Sequence, residues 1–168
     1  MKAIDLLLEG VQTRRFHSVS MIQNETVAHH SALVAGFLFL VYPDCSREVL
    51  IHAAFHDIAE CKTGDIPSPS KRAFIDKKAL DLVEDKIYID NDIHLPELNK
   101  IEKYQLKIAD ILAGLSTCLH EKQMGNTLVD EAFTNFSKYF IEKWNENTED
   151  KKALKVYTHI QNLYHHPK

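Results

Sequence analysis

Punctuation is what this chain has least of. Five glycines and five prolines in 168 residues leave few sites for tight turns, which disfavours many short strands and favours long helices. Cysteine is scarce as well. Cys45, Cys61 and Cys118 are an odd number, far apart and without CxxC spacing; that excludes a disulfide framework and fits a reducing cytoplasm. No apolar run has the length of a membrane span. The N-terminal MKAIDLLLEGVQTRR mixes a short apolar stretch with acidic residues and has no small-residue cleavage site, so neither a span nor a signal peptide is expected. Excess positive charge is also missing: the net charge is −4 with ten histidines counted neutral, which argues against a broad nucleic-acid surface. What remains is 45% hydrophobic and 26% charged, an ordinary soluble balance. The length is that of one domain over residues 1–168, large enough to bury a core.

Hydrophobic periodicity predicts an all-α fold, a compact helical bundle with uneven helix lengths. Residues 3–11 read as a short amphipathic helix and TRRFHSVSMIQNET as irregular. Asn24 is the expected cap of the next helix, with Glu25 in its first turn and Val27, His30, Leu33, Val34, Phe37 and Leu38 along one face. Ser46 is the expected cap of a helix running to about Cys61, and Gly64, Pro67 and Pro69 mark a structured loop. Lys71 to about Ile89 reads as one helix. Glu97 to about Lys122 reads as a long one with a stripe of Ile101, Tyr104, Ile108, Ile111, Leu112 and Leu115. Two final helices are expected over 129–145 and 150–164.

Chemistry is concentrated at His56-Asp57, an imidazole beside a carboxylate in an otherwise apolar run, LIHAAFHDIAE. A buried unpartnered charge is costly, and a divalent cation resolves the cost because neutral His and ionised Asp both ligate it. Two other helices offer partners. His30 lies on an apolar face, and Asp110 stands among aliphatic neighbours in KIADILAGL, where a carboxylate needs a cation, an arginine or a hydrogen-bond network. His30, His56, Asp57 and Asp110 would surround one ion with two nitrogens and two or more oxygens, a set that suits Zn²⁺, Mn²⁺, Co²⁺ or Fe²⁺. The bland alternative is a group of core histidines and satisfied buried carboxylates.

His30 in ETVAHHSALVA, His56-Asp57 in HAAFHDIAE and Asp110 in LKIADILAG resemble the H…HD…D pattern of the HD-domain phosphohydrolase superfamily. The TRRF string, NETVxxHS, and the loop HDxxExxxGDxPxPxK resemble, within it, the bacterial 5′-deoxynucleotidases and the phage dATP triphosphohydrolases. The resemblance implies an all-helical, metal-dependent hydrolase of deoxynucleotides, with Zn, Co or Mn at His30, His56, Asp57 and Asp110. It implies that Glu60 helps to activate or position the attacking water and that Asp65 assists proton transfer or orients water. Arg15 and Lys71 would hold phosphate, and Phe16 would stand where an aromatic, commonly Trp, meets the nucleotide. The Phe lacks an indole donor.

Two substrate readings compete. The distance from Asp57 to Asp110 is short, and Arg14-Arg15-Phe16 offers extra positive charge for a polyphosphate tail; both favour a dATP triphosphohydrolase of phage type, in a host's cytoplasm if the chain is viral. The alternative is a 5′-deoxynucleotidase that releases phosphate from deoxynucleoside monophosphates. A non-catalytic nucleotide-binding HD domain has no need of the full residue set, and the GDxPxPxK loop argues against cyclic-nucleotide or (p)ppGpp hydrolysis. The resemblance also implies a homo-oligomer and a small-molecule deoxynucleotide partner, with neither nucleic acid nor membrane. Phe133, Phe136, Tyr139, Phe140 and Trp144 recur at helical spacing and are expected in the core or a subunit interface. His52 is expected to be packed or to lie behind the metal ligands, and His29 to face solvent or the pocket rim.

Overall fold

Apolar residues at three- and four-residue spacing, rarely interrupted by glycine, wind into helices along most of the chain. A computed structural model describes residues 2–166. Among them nine helices form: α1 (Lys2–Gly10), α2 (Val27–Val41), α3 (Arg47–Phe55), α4 (Glu60–Thr63), α5 (Ser68–Phe74), α6 (Lys77–Asp90), α7 (Lys100–Gln123), α8 (Asp130–Trp144) and α9 (Lys151–His165). The fold is all-α. Among the described residues the β pairing amounts to one antiparallel bridge, Arg14 to Thr26, and no helix is long and apolar enough to cross a membrane.

α7 is the axis. Its start is fixed by a capping box in which the Asn99 side chain accepts from the amides of Ile101 and Glu102 while Glu102 accepts from the Asn99 amide, satisfying donors a helix start would otherwise leave open. One side of α7 presents Ile108, Ile111, Leu112 and Leu115 to Val41, Phe133, Phe140 and Ala153. Its other side presents the small residues Ala109 and Ala113 to Val34, Leu38, Val49 and Ala53. Thus α2 and α3 pack on one flank and α8 and α9 on the other. Ile101, expected in the stripe, is exposed instead; it lies in the first turn, and the buried face of α7 begins only at Tyr104.

Three boundaries differ from the sequence reading. Thr26, not Asn24, caps α2 by accepting from the His29 amide, which leaves Glu25 outside the helix and buried. Ser46 does cap α3, but that helix stops at Phe55 rather than near Cys61. The predicted 71–89 helix is two: Asp76 accepts from the amides of Lys78 and Ala79 and starts α6 afresh, so Lys71 belongs to the short α5.

Between α1 and α2 the irregular segment is tied down by Glu121 of α7. Its buried carboxylate accepts from the amides of Ile22 and Gln23 (both 2.8 Å) and from Asn126 Nδ2 (2.6 Å), which also reaches the Ser20 carbonyl (2.8 Å). Burial alone would raise this carboxyl, but the Asn126 and amide donors outweigh it and lower its pKa. A depressed carboxyl stabilises the fold fully above the ordinary glutamate value, about 4.3, and the contribution is lost as pH falls through the lower folded value. Glu121→Gln should therefore cost about 2 kcal/mol near neutral pH, and the difference from wild type should shrink below about pH 4. Denaturant unfolding at pH 7 and in acid measures both.

Candidate active site

The site is built where α3 fails to continue. Beyond Phe55 the amides of Ile58, Glu60, Cys61 and Lys62 bond three residues back, at 3.0–3.3 Å, the tighter 3₁₀ winding. Tyr88 from α6 pins this turn, its hydroxyl donating to the Phe55 carbonyl and accepting from the Ala59 amide (3.2 Å). The tightened turn brings the adjacent His56 and Asp57 to one place, with His56 Nε2 3.5 Å from Asp57 Oδ2.

Two further helices complete the cluster. α2 supplies His30, fully buried, and α7 supplies Asp110. One ligand atom each from His30, His56 and Asp110 lie within 4.8 Å of one another. Asp57 stands against them, its Oδ2 3.6 Å from His30 Nε2, yet its carboxylate is paired with the guanidinium of Arg15. Three of the four expected ligands are thus grouped, and the fourth is beside them, held by an arginine.

The residues fit a divalent cation. His30 Nε2 lies 3.1 Å from Asp110 Oδ1, but neither it nor His56 Nε2 makes a hydrogen bond, although both are buried. His56 Nδ1 faces the carbonyls of His52 (3.1 Å) and Ala53 (3.3 Å). Those acceptors assign its proton to Nδ1 and leave Nε2 with a free lone pair. Buried lone pairs beside carboxylates cost free energy unless a cation takes them up. Burial lowers the His56 pKa, against the pull of Asp57. For Asp57 burial would raise the pKa, but His56, Arg15 and His30 outweigh it and hold the carboxyl at about 2. Burial is outweighed at Asp110 too, chiefly by Lys107 and His30, which keep that group well below the usual carboxylate range. A neutral His56 and ionised Asp57 and Asp110 are the protonation states a metal ion needs.

Above the cluster opens a cavity of about 550 Å³, which Asp57, Glu60, Asp65, Arg15, Phe16, Lys71 and Asp110 all line. Glu60 is buried; Oε1 accepts from Lys71 Nζ at 3.0 Å, while Oε2 makes no hydrogen bond and stands 3.6 Å from Arg15 NH1. Burial first, then the charge of Asp57, push its carboxyl up to about 8. Asp65 is committed differently. It accepts the Phe16 amide at 3.0 Å, and Phe16 has a φ of 55°, a left-handed conformation costly for a bulky residue. Asp65 therefore holds Phe16 in a strained pose at the cavity wall.

Sequence reasoning missed three contributors, Lys107, Phe136 and Tyr139. Lys107 lines the cavity and bonds Asp110 Oδ2 at 2.6 Å; the signal was available, since Lys107 precedes Asp110 by one helical turn. Phe136 and Tyr139 of α8 were read as core or interface, but only Phe133 and Phe140 are buried, while Phe136 and Tyr139 face the cavity. Phe136 stands 5.9 Å from Phe16 between ring centres, and Gly114 of α7 makes room for it. A Cβ at Gly114 would fall 2.5 Å from Phe136 Cε1. Gly114→Ala should push that ring into the cavity, costing about 1–3 kcal/mol of stability and raising KM severalfold with a smaller change in kcat; steady-state kinetics with unfolding curves check it. His52 and His29 lie outside the cluster. His52 Nε2 contacts the Pro96 carbonyl at 2.6 Å, and His29 is exposed.

An all-helical scaffold that gathers His30, His56 and Asp110, with Asp57 beside them, under a cavity lined by Arg15, Lys71 and Lys107 suits metal-assisted hydrolysis of an anionic substrate. The comparisons carry this further. A model of the family described as HD domain matches residues 11–104, more than half of the chain, and the chain belongs to that family. It is similar to a 5′-deoxynucleotidase of Shewanella oneidensis, 29% identical over 140 residues that make up 72% of this chain and 69% of the relative. A 5′-deoxynucleotidase of Citrobacter koseri is 28% identical over 158 residues, 83% of this chain and 77% of the relative. The 5′-deoxynucleotidase YfbR of Salmonella typhi is 28% identical over 150 residues, 79% and 73% of the two chains. These relatives favour the monophosphate alternative over the triphosphatase that the sequence alone suggested.

Proposed function

We propose that this chain is a 5′-deoxynucleotidase, releasing phosphate from deoxynucleoside monophosphates with a divalent ion, Zn, Co or Mn, held by His30, His56, Asp57 and Asp110. The observation that carries the metal is the set of buried, unpartnered histidine nitrogens beside carboxylates at the floor of the cavity. The substrate class leans on the relatives, whose names specify deoxynucleotides. One argument for a triphosphate falls away on geometry: Arg14 is exposed and does not line the cavity, so it adds no charge for a polyphosphate tail.

When bound, the ion polarises a phosphoryl oxygen and furnishes a nucleophilic water near neutral pH. The chain's own residues do the rest. Arg15 donates to phosphate oxygens and Lys71 and Lys107 add point charges at the cavity wall. Glu60, whose Oε2 makes no hydrogen bond, accepts the proton of the attacking water, while Asp65 serves by holding Phe16. Phe16 and Phe136 give sugar and base an apolar, aromatic wall. The test is product analysis by chromatography with each metal and a panel of dNMPs, dNTPs and NTPs. Inorganic phosphate and deoxynucleosides from dNMPs are expected; tripolyphosphate from dATP with dNMPs untouched would overturn the substrate assignment, and no turnover of any nucleotide would return a non-catalytic binding domain.

The chain acts as one domain, in the cytoplasm, where deoxynucleotides are held and three free thiols stay reduced. Self-association, if through one surface, uses α2 rather than the 133–144 aromatics. The sequence VAHHSALVAGFLFLV carries no Asp, Glu, Lys or Arg, and its outer face leaves Phe39 and Leu40 exposed, whereas helices apolar all round are normally covered. Phe39→Glu should turn an oligomer into a monomer in sedimentation.

A further inference from the structure

Glu25 is a fully buried carboxylate that the hydrolytic chemistry above does not use. Its two oxygens have separate partners. Oε1 accepts from the Thr117 hydroxyl of α7, and Oε2 pairs with Arg15 Nε at 3.2 Å. The backbone reinforces the arrangement: the Arg15 amide donates to the Glu25 carbonyl at 3.0 Å, and the Val27 amide to the Thr13 carbonyl at 2.9 Å. Arg15 meets two other carboxylates through NH1, Asp57 and, at 3.6 Å, Glu60. Asp57 belongs to the proposed metal set and Glu60 to the proposed proton acceptor. Of the three carboxylates, only Glu25 is free of another duty.

We propose that Glu25, anchored by Thr117, is the positioning residue of Arg15: it holds the guanidinium by Nε while NH1 pairs with Asp57, so that NH2 remains for a phosphate. This rests on the phosphohydrolase reading above. A guanidinium whose plane is fixed through Nε presents its remaining terminal donors in a set direction, which suits it to phosphate recognition. Thr117 in turn is held in α7, where its hydroxyl lies 3.3 Å from the Ala113 carbonyl. The phosphate donor is thereby referenced to the helix that carries Asp110.

The test is a double-mutant cycle on Glu25→Gln and Arg15→Ala, read in kcat/KM for deoxynucleoside monophosphates and in calorimetric binding of inorganic phosphate. Gln has the shape of Glu but carries no charge to hold the guanidinium, and its single oxygen can serve Arg15 or Thr117 but not both. Glu25→Gln alone should lower kcat/KM and phosphate affinity by about 10- to 100-fold. In the Arg15→Ala background it should change neither, because nothing is left to position. Equal losses in both backgrounds, or no loss in the single variant, would overturn the proposal. Thr117→Val repeats the cycle with the Glu25 charge kept, and should give a smaller loss that also vanishes with Arg15→Ala. If Arg15→Ala itself spares turnover and phosphate binding, the phosphate role of Arg15 fails, and with it the proposal; that outcome shows in Arg15→Ala alone, before any cycle is closed.

Discussion

Asp110→Asn should leave the protein folded, strip it of its divalent ion and lower phosphate release by about 1000-fold or more, since a catalytic ion is worth several kcal/mol of charge stabilisation. The substitution keeps the shape of the side chain and removes its charge. Asp110 sits within the group whose ligand atoms lie inside 4.8 Å of one another, so its loss breaks the set directly. It also frees Lys107, now bonded to Asp110, which adds a cation next to the vacated position and further disfavours the ion. Metal content by mass spectrometry, beside a melting curve near wild type, separates loss of the ion from loss of the fold. Retained metal and full turnover would remove Asp110 from the site.

Glu60→Gln is the second large effect, an expected fall of about 10²- to 10⁴-fold in kcat with little change in KM. Its Oε2, buried at the cavity wall, makes no hydrogen bond, and in the metal-free protein burial and Asp57 keep the group protonated at neutral pH by pushing its pKa up to about 8. Two positive charges arriving beside Asp57 act in the opposite direction and favour the carboxylate. Asp65→Ala should behave differently. Its carboxylate is spent on the Phe16 amide, so KM should rise more than kcat falls, as the strained Phe16 relaxes from the wall. Steady-state kinetics on the two variants decide which carboxylate takes the proton; the reverse pattern would exchange their roles.

Part of this site was legible in the residues, because a buried imidazole and a carboxylate among aliphatics each violate a local rule that a cation, an arginine or a hydrogen-bond network restores. His30, His56, Asp57 and Asp110 were found that way, and Glu60 by its position one turn on. What stayed hidden depended on three-dimensional competition. The helix from Ser46 was expected to run through the HD pair because its apolar pattern continues past it. The stop at Phe55 is imposed by Tyr88, 33 residues away in sequence from its acceptor, and no local signal reports that. Phe136 and Tyr139 share helical spacing with Phe133 and Phe140, and periodicity alone does not tell a core-facing aromatic from one facing a cavity. Glu25 read as a first-turn acid of α2 because Asn24 is as good a cap as Thr26; the register was set by its bonds to Arg15 and Thr117, both distant in sequence.

The most direct test of a metal-dependent deoxynucleotide phosphohydrolase is a single preparation measured twice, for bound divalent metal per chain and for phosphate released from deoxynucleoside monophosphates, before chelation, after it, and after restoring Co²⁺, Mn²⁺ or Zn²⁺. One ion per chain is predicted, with phosphate release lost on chelation and regained with the ion. Phosphate release that persists undiminished in the metal-stripped protein, or a cluster that binds no divalent ion at all, would contradict the account.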